Sequence, residues 1–187
     1  MQSAFTSPIL LERTSKIPRG ALIKHLENAL YALSYNLEKI LPKGGTVCAL
    51  YPKTILQSIL PRAAKERNCK VICISGTPEL IKELAKNDIL DKKTSMEKAD
   101  IYITEPDGFA KDGALVKPEE TELLQKFEVT AIGSALQYTR ELPATHDCIA
   151  ISKAITELGT YSPELNASFC SKFSIPSPAS TNQTPTP

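Results

Sequence analysis

No CxxC pair occurs in this sequence, and its five cysteines (Cys48, Cys69, Cys73, Cys148, Cys170) are odd in number and irregularly spaced. The two histidines, His25 and His146, are not clustered. Zinc needs four convergent soft ligands, so a structural metal site is not expected. An excess of either charge is also missing. The 22 basic and 21 acidic residues leave a net charge of +1, which gives no basis for direct nucleic-acid binding or a membrane-surface partner. No apolar run approaches the roughly 20 residues of a membrane span. The start, residues 1–13, lacks the basic and long apolar regions of a signal peptide. The expectation is a soluble cytoplasmic protein in which Cys48, Cys69 and Cys73, lying in or beside apolar runs, are reduced, buried thiols.

Nucleotide and hydrolase motifs are lacking too. There is no GxGxxG after a strand, no Walker sequence, no GxSxG elbow and no Cys–His pairing, and Gly44-Gly45 precedes its strand rather than following it. No cofactor is implied, and no internal repeat is found. What is present is a hydrophobic fraction of 42% in 187 residues, enough to fold as one domain and too much for a disordered chain.

Residues 19–41 read as the clearest helix, with Leu26, Leu30, Leu33, Leu37 and Ile40 on one face and Pro42 with Gly44-Gly45 ending it. The stripe spans barely two heptads, so packing on the domain is favoured over a coiled coil. Residues 46–51 and 70–75 are short apolar runs rich in β-formers, as buried parallel strands are. The helical pattern between them contains Pro61, which should kink or split it. Thr77-Pro78-Glu79 reads as N-cap, first-turn proline and first-turn acid of another helix. A third strand spans 99–104, followed by the polar loop 105–113, a helix opened by Pro118 and a fourth strand at 128–133. Residues 147–158 are read as a closing helix stopped by Gly159. Alternating strands and helices predict an α/β fold, Rossmann-like, with a mostly parallel sheet flanked by helices. The expected organisation is an N-terminal segment (1–18), an N-terminal helix (19–44), the α/β domain (45–173) and a disordered Ser/Thr/Pro tail (174–187). The tail's Ser177-Pro178 pair is a possible phosphorylation site, with a solvated tail the favoured reading.

Parallel sheets gather ligands at the carboxyl ends of their strands. Three loops leave such ends here: Tyr51-Pro52-Lys53, Ser75-Gly76-Thr77-Pro78, and Glu105 to Gly113. The third carries Glu105, Asp107, Lys111 and Asp112, and its three carboxylates suit acid–base work on a small substrate. Gly76 and Gly113 allow close backbone approach, and the helix start after Thr77 suits a phosphate. From spacing alone, Asp107-Gly108 and Asp112-Gly113 read first as turn formers.

Residues 96–118 resemble the strand–loop signature of the initiation-factor-2B alpha/beta/delta family, with Asp107-Gly108 at its acid-Gly pair and Asp112-Gly113-Ala114-Leu115-Val116 at its Asn-Gly-apolar stretch. Residues 70–86 are similar to its strand entering a Glu-Ser-x-Pro loop, and Ile155-Thr156-Glu157-Leu158-Gly159 to its C-terminal ending. The likeness covers about residues 12–170. It implies an alpha-type regulatory subunit of the initiation factor 2B guanine-nucleotide exchange complex. Such a subunit works by binding, with other initiation-factor-2B subunits and initiation factor 2 as partners in a homo- or hetero-oligomer. The family's other branch, the methylthioribose-1-phosphate and ribose-1,5-bisphosphate isomerases, implies an alternative in which Asp107 is catalytic. A third reading is a non-catalytic relic that binds a sugar- or nucleotide-phosphate. The ligand-contacting positions under these readings are Ser75, Gly76, Thr77, Asp107, Gly108, Asp112 and Gly113. The isomerases' catalytic cysteine has no counterpart, since Cys48 lies too early, within the strand. Their Glu-Thr-Arg-Pro phosphate motif is here Ser75-Gly76-Thr77-Pro78, so an enzyme is not the favoured outcome. The stretch 87–95 also leaves little room for a strand and helix that the family has there.

Overall fold

The computed structural model describes residues 19–139, 142–163 and 165. The calls on the N-terminal segment, the Ser/Thr/Pro tail and Cys170 lie outside these residues. The element order begins with α1 (Arg19–Ile40), β1 (Thr46–Leu50), α2 (Thr54–Glu66), β2 (Lys70–Ile74) and α3 (Pro78–Lys86). A 3₁₀ turn (Met96–Lys98) leads into β3 (Ile101–Thr104), β4 (Gly108–Ala110), β5 (Gly113–Val116), α4 (Pro118–Leu124) and β6 (Val129–Ile132). A second 3₁₀ turn (Ala135–Gln137) precedes β7 (Asp147–Ile149), β8 (Lys153–Thr156) and β9 (Gly159–Tyr161).

The main sheet runs in the order β2-β1-β3-β6-β8-β9. The first five strands are parallel, and β9 turns back antiparallel on β8. Consecutive residues of the central strands serve opposite layers. On one side Val47, Ala49, Ile103, Ile132 and Ile155 pack with Leu33, Leu37 and Leu41 of α1 and its end, with α2, and with Leu80 and Leu84 of α3. On the other, Cys48, Leu50, Val129, Ala131 and Ala154 meet Phe109, Ala114, Val116 and Ile149 of a smaller antiparallel sheet, β4-β5-β7. Both faces being covered explains why these strands read as continuous apolar runs. The leucine face of α1 therefore packs on the domain, as its short stripe predicts.

Three expectations need correction. The first concerns Pro61: α2 runs through it without a break. Proline costs a helix interior about 3 kcal/mol. Against that, Ile55, Leu56, Ile59 and Leu60 are all buried, at roughly 1.5–3 kcal/mol each. Packing outweighs the lost hydrogen bond.

The second concerns residues 147–158, which form β7 and β8 rather than a helix. Ala154 and Ile155 are adjacent and both fully buried because β8 lies between two layers. A double-faced strand of this kind imitates helical spacing, while the β-branched Ile149 of β7 and Ile155 and Thr156 of β8 fit pleated strands better. Gly159 opens β9, at φ +141, instead of ending a helix.

The third concerns 105–113, which is largely a hairpin. Here β4 and β5 pair with Ala110 opposite Gly113, and Lys111 and Asp112 make the exposed turn. By contrast, the stretch 87–95 is as short as its length implies. It adds one bridge residue, Leu90, beside Val71, whose N–H and C=O bond Ile89 O and Asp91 N at 2.7 and 2.8 Å.

Candidate functional site

The chemistry-bearing residues gather where β1, β3 and the hairpin meet, at the carboxyl end of the main sheet. Glu105 follows β3 directly and is 5% exposed. Its carboxylate lies over the start of α2, where Lys53, the N-cap residue, supplies no side-chain bond. Glu105 Oε2 accepts from Lys53 N and Leu56 N at 3.1 and 2.8 Å, and Oε1 accepts from Ile55 N at 3.0 Å. The acid thus caps from across the sheet a helix whose first amides are otherwise without partners. Burial pushes its pKa up to about 7, with the amides of Ile55 and Leu56 and the nearby Lys53 charge pulling the other way.

The ammonium of Lys53 points into the same corner. It lies 3.1 Å from Asp107 Oδ1 and 3.4 Å from Glu120 Oε2. His146 Nε2 lies 3.3 Å from the second oxygen of Asp107, and its Nδ1 lies 3.0 Å from Thr145 Oγ1. Asp107 and His146 side chains are 10% and 11% exposed, and Glu120's is 8%. One corner therefore ties together the β1–α2 loop, the β3–β4 connection, α4 and the residue before β7. Thr121 Oγ1 adds a donor bond of 2.7 Å to Asp147 Oδ2, fixing α4 to β7. The positive charge of Lys53 faces two carboxylates, so it is balanced from within the protein. Among the described residues, no group of three His, Cys, Asp or Glu side chains is placed to hold a metal ion.

The predicted site residues separate into different settings. Asp107 is at the centre of the cluster, and Gly108 follows it as the buried first residue of β4. Gly113 is needed by packing, because a Cβ there would stand 2.0 Å from the carbonyl oxygen of Ile149 on the neighbouring strand. Asp112 is at the exposed hairpin turn, away from the cluster's bonds. Ser75, Gly76 and Thr77 form the turn after β2, the strand beside β1. Ser75 takes a left-handed φ of +57, and a Cβ on Gly76 would meet Cys73 Sγ at 2.2 Å. Thr77 Oγ1 accepts from Leu80 N at 3.3 Å, so this hydroxyl caps α3 as its position in the sequence suggests.

Cys48, Cys69 and Cys73 behave as packing groups. Cys48 and Cys69 are buried and Cys73 half-buried, while Cys148 on β7 is exposed. Burial, then the neighbouring Cys73 and Glu97, pushes the Cys48 thiol up to about 12, far from a nucleophile's range. Lys53, Glu120 and His146 are the cluster members that residue patterns leave unassigned. Lys53 carries a signal, because it belongs to a strand-end loop. Glu120 looks like an ordinary first-turn acid of a helix, and His146 stands in a stretch without periodicity.

The fold and this corner define a Rossmann-like α/β domain with an internally paired polar cluster at its strand ends. Solved structures similar to it in fold include translation initiation factor subunits. The chain superposes on eIF2B beta from Chaetomium thermophilum with a TM-score of 0.70 at 16% identity, covering 83% of this chain and 56% of that one. For the Pyrococcus horikoshii OT3 translation initiation factor eIF-2B the values are 0.62, 17%, 79% and 69%. For the eIF-2B delta subunit from A. fulgidus they are 0.62, 16%, 82% and 64%. The chain has the fold of these subunits and spans little more than half the length of eIF2B beta. No family model matches the sequence, and no curated protein does. Among the described residues, no helix is long and apolar enough to cross a membrane.

Proposed function

We propose that this chain is a regulatory, alpha-like subunit of an eIF2B-type guanine-nucleotide exchange complex, acting by contact with other subunits and with initiation factor 2. The observation that carries the reading is the fold likeness to eIF2B beta. It is supported by a strand-end corner whose charged groups are bonded to one another. One of the solved counterparts is a tetrameric eIF2B-beta2-delta2 complex, which makes assembly with related subunits the expected mode of action here. The cytoplasm is the compartment in which such a subunit works.

The test is affinity capture of the tagged chain from its own cells, followed by an exchange assay on the complex with and without it. Co-purification of eIF2B subunits, together with an altered basal rate or altered inhibition by phosphorylated substrate factor, is expected. A chain recovered alone, and an assay indifferent to its removal, overturn the reading.

A second reading, a sugar-phosphate isomerase, rests on one feature. Asp107 lies at the carboxyl end of β3, buried between a lysine and a histidine, as a proton-transfer group would. Against it stand the thiol of Cys48, buried and pushed far up, and the absence of an arginine from the Ser75–Pro78 turn. A relic pocket for a sugar- or nucleotide-phosphate is a weaker form of this reading and rests on the same turn.

A further inference from the structure

No further inference is drawn: the strongest candidate, the outward face of α1 where Tyr31 and Tyr35 stand 73% and 55% exposed, is a helix face with no element packed on it among the described residues, and nothing in the structure shows what covers it.

Discussion

At the scale of single residues, Glu105 and Lys53 hold the corner together in opposite ways. Glu105 is an acid in the wrong solvent: burial raises its pKa from 4.5 to about 7 in the folded chain. The folded state then binds its proton more tightly than the unfolded state does. The stabilisation this gives is complete below about pH 4.5 and is lost as pH rises to about 7. Glu105→Gln keeps an acceptor for the amides of α2 but cannot titrate. The difference in stability between wild type and variant should therefore move against the wild type across that window and level off above it. Urea unfolding at several pH values measures it, and parallel profiles for the two proteins would remove Glu105 as the source. Lys53 works through charge balance. Lys53→Met leaves Asp107 and Glu120 facing each other without their shared cation, at a cost of roughly 3 kcal/mol, the size expected when a mostly buried pair loses one member. Adding Glu120→Gln should recover part of that loss, which a double-mutant cycle reads directly. Additive losses would show that the two side chains do not communicate.

At the scale of elements, the smaller sheet β4-β5-β7 gives the sharpest test, because residue pattern and structure disagree there. As a strand, β7 sends Cys148 outward and buries Ile149 against the second apolar layer. Cys148→Lys should change stability by no more than about 0.5 kcal/mol, the usual range for surface positions. Ile149→Lys should destabilise severely, since it buries an unpaired charge. Similar urea midpoints for the two variants would contradict the strand. Elsewhere the elements were legible wherever a local signal was strong: the leucine stripe of α1, the Thr77-Pro78 start of α3, and the apolar runs of β1, β2, β3 and β6. The hairpin was not, because Asp107-Gly108 and Asp112-Gly113 look like turns and only the second lies at one. Ala154 and Ile155 misled for a different reason, since a strand covered on both faces loses the alternation that identifies strands. The site was legible in part. Asp107 could be placed at a strand end, but the cluster around it draws Lys53, Glu120 and His146 from segments up to 54 residues away from it in the chain, a proximity that only the completed fold creates.

At the scale of the whole molecule, what matters is whether the carboxyl end of the sheet is open to an anionic ligand. A sugar phosphate brings a dianion that needs unpaired amides, an arginine or a lysine with charge to spare. The first amides of α2 already bond Glu105. Lys53 is held between Asp107 and Glu120. At α3, Leu80 N is taken by Thr77, and Gly76 lies against Cys73. Binding there would have to break contacts worth several kcal/mol before gaining any. Ribose-1,5-bisphosphate and methylthioribose-1-phosphate at millimolar concentration should therefore leave Tm unchanged, and neither should be converted to its ketose in an NMR assay. A ligand present at 100 times its Kd would add about 2.7 kcal/mol, or roughly 5–10 °C in a chain of this size. A rise of that order, saturating with sugar phosphate but not with sodium chloride, would show that the corner opens and would favour the isomerase or the phosphate-binding relic over the subunit reading. Turnover abolished by Asp107→Asn, with the fold intact, would then assign the chemistry to that carboxylate.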